Sequence, residues 1–342
     1  MKRIGILTGG GDCPGLNAAI RAIVRRAWQD GCESVGILEG WRGMVEGLTR
    51  ELPVGAVSGI LHVGGTILRT SRTNPMKLPD GVARVEENFR KLGLDALVAI
   101  GGEDTLGVAH KLHQRGLPVV GVPKTIDNDL AGTDFTFGFN TAVAIVTDAI
   151  DRLHSTAESH NRVMVVEVMG RHTGWIATYA GIAGGADAIL IPEYPIRLDE
   201  VCSHILSRQA RGKNFSIVVA AEGAKLEEGS VFTSDRLLDE FGHERLGGIG
   251  NVLAQEIEKR TKFETRVTVL GHIQRGGSPN AYDRVLATRF GIFAADLVKE
   301  GRFGKMAALR GNDIVAVDLG DAVTHLKQVD RSLYEIAEVF FG

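Results

Sequence analysis

The sequence predicts an α/β fold of two doubly wound domains on mostly parallel sheets, and three observations carry this. Short apolar runs alternate with longer amphipathic ones. The short runs are apolar almost throughout, as strands covered on both faces are. Glycines and charged loops follow them at what would be carboxyl ends, where ligands bind in open α/β sheets.

Taken in order, Ile4–Leu7 reads as a buried strand and Leu16–Trp28, with apolar residues three and four apart, as the helix after it. Ala96–Ile100 is a second strand, followed by Gly101-Gly102, and Val119–Val122 a third, ending at Pro123. Thr141–Leu153 reads as a helix. Val163–Val168, Ala188–Ile191, Ser216–Ala221 and Val267–Leu270 continue the strands, with a helix at Val252–Lys259. No low-complexity linker divides the chain, but a polar loop, Asp127–Phe137, ends where a long helix begins, so a boundary is expected near Phe139. Two such domains facing across a cleft would suit an enzyme with two substrates.

The 342 residues are enough for two packed cores. Aromatics make up only 6% and the net charge is −3, which argues against stacking platforms or a basic surface for nucleic acid. Cys13, Cys32 and Cys202 are widely spaced and odd in number, so reduced thiols are expected rather than a disulfide framework or zinc site. The apolar run at Ile4–Leu7 is too short for a signal-peptide core, and no stretch reaches the roughly 20 apolar residues of a membrane helix, so a cytoplasmic protein is expected.

Six motifs carry chemistry. Thr8-Gly9-Gly10-Gly11-Asp12-Cys13-Pro14-Gly15 joins strand to helix; its glycines could admit a phosphate or serve the turn alone. It lacks the Gly-Lys-Ser/Thr of a P-loop. Gly101-Gly102-Glu103-Asp104-Thr105 places two carboxylates after a buried strand, as Mg²⁺ ligands or as first-turn acids of a helix. Pro123-Lys124-Thr125-Ile126-Asp127-Asn128-Asp129 packs a cation, a hydroxyl and two acids into seven residues. In extended chain Asp127 and Asp129 would point to one side, an arrangement that suits a base beside a metal-bound phosphate better than a polar turn. Arg162 with Met169-Gly170-Arg171, Glu222 at the end of Ser216–Ala221, and Arg266 with Gly271-His272-Ile273-Gln274-Arg275-Gly276-Gly277 read as clamps for a phosphate monoester.

Together these motifs closely resemble the phosphofructokinases. TGGGDCPGLNAAIR is similar to that family's TSGGDAPGMNAAIR-type start, PKTIDND to its P-x-TIDND loop, VVEVMGR to its VEVMGR stretch and VLGHIQRGGSP to its LGHIQRGGSP stretch. Order and spacing agree from residue 1 to about residue 300. The resemblance implies a phosphofructokinase-like fold in which residues 1–138, with roughly 274–324 returning, bind Mg²⁺ and the phosphoryl donor. Residues 139–273, with roughly 325–342, would bind fructose 6-phosphate. It implies transfer to the 1-hydroxyl of that sugar phosphate, with Asp127 as general base. Thr125 would hold the substrate, and Asp129 would support the metal and the loop. Gly10 and Gly11 would contact donor phosphates, Arg72 the transferring group, and Glu103 would ligate Mg²⁺. Arg162, Met169, Gly170, Arg171, Glu222, Arg266, His272 and Arg275 would bind the sugar phosphate. The family's counterparts of Arg162 and Arg266 come from a neighbouring subunit, which implies a homodimer or homotetramer.

The sequence departs from the family's ATP-using pattern where Asp104 and Lys124 replace commoner glycines. At about 4 Å and an effective dielectric near 20, a carboxylate beside a nucleotide's α-phosphate costs of order 4 kcal/mol, roughly a thousandfold. Diphosphate lacks that third phosphate, and Lys124 adds the charge a shorter donor needs. Diphosphate is therefore the expected donor, with ATP as the alternative. A silent regulatory subunit is disfavoured because Asp127, Glu103 and Arg171 are all present. A lipid or NAD kinase is disfavoured because those families lack the PKTIDND and HIQRGG segments. Arg21 and Arg25 match the ATP enzymes' effector arginines but Val54 does not, so classical effector control is not expected.

Overall fold

The computed structural model describes residues 2–227 and 247–341. The strands are β1 (Arg3–Thr8), β2 (Glu33–Ile37), β3 (Thr49–Glu51), β4 (Ala96–Gly101), β5 (Val119–Thr125), β6 (Phe137–Gly138), β7 (Val163–Val168), β8 (Ala188–Leu190), β9 (Ser216–Ala221), β10 (Thr265–Val269), β11 (Lys305–Arg310) and β12 (Asp313–Asp318). The chain divides into two compact units. One comprises Met1–Ile126, Leu130–Thr141 and Arg275–Leu326; the other comprises Asp127–Asp129, Ala142–Gln274 and Lys327–Gly342.

The first unit holds the larger sheet, in the order β12-β11-β5-β4-β1-β2-β3, with β6 beside β5. The central strands are parallel, and β2–β3 and β11–β12 form antiparallel edges. One face is packed by a core that includes Leu7, Val35, Ile37, Leu97, Ala99 and Leu106. On β1, Ile4 and Ile6 alternate with the core residue Leu7 and are equally buried, which is why the run carries no polar alternation. The helices Leu16–Gln29 and Ala281–Lys299 meet closely: a Cβ on Gly291 would lie 2.7 Å from the Ala19 carbonyl.

The second unit carries four parallel strands in the order β10-β7-β9-β8. β7 and β9 are buried along their whole length, over a core of Val165, Leu190, Val218, Leu253 and Ile257.

The expected strands are all present: Val163–Val168 and Ser216–Ala221 keep their expected bounds, and the others have shifted ends. β5 does not stop at Pro123 but runs to Thr125. Proline lacks an N–H, yet here it falls in a gap on one side of the ladder. β11 pairs only with Val120 and Gly121, and β6 only with Lys124 and Thr125. The helix expected at Thr141–Leu153 extends over Phe139–His160, and that at Val252–Lys259 over Ile249–Thr261. Periodicity does not find β2, β3, β11 and β12: β3 and β12 are partly exposed edge strands, while β2 and β11 are buried inside the sheet but short, with charged residues at their ends.

Candidate active site

In the first unit, β1 delivers the Gly9–Gly11 loop, β4 delivers Glu103 and Asp104, and β5 delivers Lys124 and Thr125. Gly10 has φ +76°, a left-handed conformation that favours glycine. A side chain on Gly11 would overlap the Arg275 guanidinium. Arg275 Nη1 also lies 3.5 Å from the Asp12 carbonyl, so this arginine sits with the glycine loop. Lys124 is only 3% exposed, and its ammonium donates to the Gly11 carbonyl at 2.5 Å. Burial of a lysine head group requires such a partner. Thr70 Oγ1 donates to the Gly10 carbonyl at 2.6 Å, which ties the segment bearing Arg72 to the same loop. Arg72 is exposed.

Glu103 and Asp104 form the first turn of the helix Glu103–Gln114, directly after β4. The positive end of the helix dipole favours them there. Glu103 is exposed and Asp104 half-buried. A Cβ on Gly102 would lie 3.5 Å from the Lys124 carbonyl, so the acidic turn and the Lys124 strand adjoin.

In the second unit, Asp127, Asn128 and Asp129 are buried. Asn128 has φ +53°. The chain therefore turns between the two aspartates, and the expectation that extended backbone puts both on one side is corrected. Asparagine tolerates this left-handed conformation better than most residues. Thr173 Oγ1 lies 3.3 Å from the Asp127 carbonyl and 3.2 Å from that of Gly170, so it links the two loops. Gly170 has φ +143°, and Arg171 has φ +51°, rare for an arginine. The Arg171 N–H donates to Glu222 Oε1 at 3.2 Å, and the Met169 N–H to Gln274 Oε1 at 3.2 Å. These bonds bring Met169, Gly170, Arg171 and Glu222 together at the carboxyl ends of β7 and β9. His272 is exposed on the short helix Gly271–Arg275, which also carries Gln274.

Arg162 and Arg266 lie elsewhere in that unit. Arg162 precedes β7 and Arg266 is the second residue of β10, so both sit at the amino ends of neighbouring strands. Glu264 joins them: Arg162 Nε donates to its Oε2 at 2.8 Å, and Arg266 pairs with its Oε1. The Arg162 guanidinium holds the Glu264 carboxyl below the usual carboxylate range. Six strand residues separate Arg162 from the Arg171 loop, about 20 Å of chain at about 3.3 Å per residue. One copy of this unit does not place all the expected sugar-phosphate groups at one point.

Sequence reasoning missed Thr173, Gln274 and Glu264. Gln274 was legible as an amide inside a long motif, but its fully buried contact with Met169 depends on the fold. Glu264 had a weak signal: one acid two residues before an arginine.

The fold and these clustered phosphate-type groups define a phosphate-handling α/β enzyme. The model for the family described as Phosphofructokinase matches residues 3–298, and the chain belongs to that family. A Streptomyces coelicolor protein named pyrophosphate–fructose 6-phosphate 1-phosphotransferase is 59% identical, across 99% of this chain and 100% of its own. The ATP-dependent 6-phosphofructokinase 3 of the same organism is 55% identical, across 98% of this chain and 99% of its own. Among solved structures, the phosphofructokinase of Pichia pastoris in the T-state superimposes with a TM-score of 0.85 at 33% identity. It is matched over 99% of this chain, which spans only 36% of that longer protein.

Proposed function

We propose that this phosphofructokinase transfers a phosphoryl group from diphosphate to the 1-hydroxyl of fructose 6-phosphate, reversibly. The observation that carries the donor choice is the buried Lys124 ammonium on the Gly11 carbonyl, beside the acidic turn that bears Asp104. The Lys124 ammonium is a fixed positive charge at the glycine loop, and in this reading the Asp104 carboxylate would occupy the space of a nucleotide's α-phosphate. The relative at 59% identity has the matching name. The ATP-dependent relative keeps the alternative donor in view.

In this reading Asp127 accepts the proton of the 1-hydroxyl as its oxygen bonds to phosphorus. The bridging P–O bond of diphosphate breaks and phosphate leaves. Lys124, with Arg72, offsets charge on the transferring group, while Thr125 holds the acceptor. Gly10 and Gly11 leave room for the donor phosphates. Met169, Gly170, Arg171, Glu222, His272 and Arg275 bind the sugar phosphate, and Arg275 also borders the donor loop. Two adjacent carboxylates at a helix start fit Mg²⁺, which takes one or two carboxylates and shares its remaining positions with phosphate and water. Glu103 would hold it, with Asp129 in support, and the bound ion would neutralise donor charge.

The amino-end position of Arg162 and Arg266 supports a homodimer or homotetramer in which these two arginines serve a neighbouring copy. No helix among the described residues is long and apolar enough to cross a membrane, in keeping with a cytoplasmic enzyme. Donor comparison at fixed fructose 6-phosphate and Mg²⁺ tests the reading. Turnover with diphosphate should exceed that with ATP by at least about a hundredfold; equal rates would overturn it.

A further inference from the structure

The acidic turn is held by a residue with no role in the reaction proposed above. Thr105 follows Asp104 and is 3% exposed. Its side chain lies where two neighbouring glycines have none. A Cβ on Gly9 would sit 2.5 Å from Thr105 Oγ1, and a Cβ on Gly101 would overlap Thr105 Cβ and Cγ2. Gly9 follows β1 and Gly101 ends β4, and these strands are parallel neighbours. One threonine thus fills a notch at the carboxyl ends of both.

The backbone of Thr105 is held as well. Trp41 Nε1 donates to the Thr105 carbonyl at 3.3 Å. The indole is buried in the same core as Met44 and Leu106. Its own segment is pressed onto β1, since a Cβ on Gly40 would lie 2.8 Å from the Thr8 carbonyl. Glu103 is exposed and Asp104 half-buried, so the buried anchor of this turn is Thr105.

We infer that Trp41 and Thr105 are positioning residues that set the acidic turn against the glycine loop, and so govern affinity for the phosphoryl donor and choice of it. This rests on the donor reading above. Like-charge exclusion falls with distance, and a shift of about 1 Å in a positioned group changes rates up to a hundredfold. A loosened turn would therefore hold diphosphate less well and exclude ATP less well.

The test uses the full-length enzyme with both donors. Trp41→Phe keeps a ring and removes the N–H; Thr105→Ala opens the notch; Thr105→Val refills it. Trp41→Phe and Thr105→Ala should raise the KM for diphosphate about five- to tenfold and lower the diphosphate-to-ATP ratio of kcat/KM by a similar factor. The KM for fructose 6-phosphate should stay unchanged, and Thr105→Val should recover most of the loss. In an Asp104→Gly background, Trp41→Phe should no longer alter the donor ratio. Gly101→Ala, which pushes the threonine from the other side, should copy Thr105→Ala if the latter folds poorly. Folded variants with unchanged donor KM, or with donor and acceptor KM moving together, would overturn the inference. Equal use of both donors by the unmodified enzyme would remove the donor reading, while the split between donor and acceptor KM still tests the positioning with either donor.

Discussion

Two carboxylates occupy the first turn of the helix Glu103–Gln114, and their neighbours differ in consequence. Glu103 is exposed enough to reach a metal; Asp104 is half-buried, so its charge is less screened than a surface charge. Asp104→Gly should therefore raise kcat/KM for ATP between about ten- and several-hundredfold, below the thousandfold ceiling of the unscreened estimate. The fructose 6-phosphate KM should not move, and steady-state kinetics with both donors will check this. The cysteines make a second residue-scale case. Burial pushes the Cys13 thiol up to about 12 and raises that of Cys202 as well. A thiol reacts as its thiolate, and thiolate forms only as pH approaches the raised pKa. At pH 8 a chromogenic disulfide reagent should label the native enzyme at Cys32 alone and all three cysteines after unfolding. Rapid labelling of Cys13 in the native state would contradict its burial.

At the scale of elements, neighbouring strands make a site of residues that are far apart in sequence. β7 and β10 place Arg162 and Arg266 on either side of Glu264. A carboxylate there costs some positive charge but orients two flexible guanidinium groups. Because the Glu264 pKa is depressed, the clamp is complete above the ordinary carboxylate range and is lost as pH falls below it. Glu264→Gln should raise the fructose 6-phosphate KM about three- to tenfold and leave the diphosphate KM unchanged. Equal changes in both would mean that Glu264 serves general stability. The donor-side elements follow the same logic: Lys124 is 113 residues from Gly11, yet its ammonium rests on that carbonyl because β5 and β1 flank β4 in one sheet.

For the whole molecule, completion of each site by a second copy, proposed because Arg162 and Arg266 sit at amino ends and the Arg171 loop at carboxyl ends, has a direct test. An Asp127→Ser variant should lose at least about a thousandfold in turnover. An Arg162→Ala, Arg266→Ala double variant should have a strongly raised fructose 6-phosphate KM. Mixed in equal amounts and reassembled at random as dimers, the two should regain about a quarter of the unmodified activity, since about half of the dimers are mixed and one of the two sites in each of those carries no substitution. No recovery in verified mixed oligomers would confine each site to one chain.

Much of this was legible in the string. Apolar runs such as Val163–Val168 and Ala96–Ile100 announced buried strands because backbone period and side-chain chemistry are local. The motifs at Gly9, Lys124, Met169 and His272 identified the family because they are long and ordered. The charges at positions 104 and 124 gave the donor hypothesis. Other features required the fold. Asp127 and Asp129 looked like neighbours on an extended chain until Asn128 turned it. Arg275 read from the string only as part of a sugar-phosphate clamp, and the fold shows in addition that its guanidinium lies against Gly11. Glu264, Thr105 and Trp41 carried little signal, since each acts through a residue remote in sequence. Residue type and local spacing determine which chemistry the chain possesses. Sheet order and register decide which of those groups meet, because they bring together backbone that the sequence separates by tens to hundreds of residues.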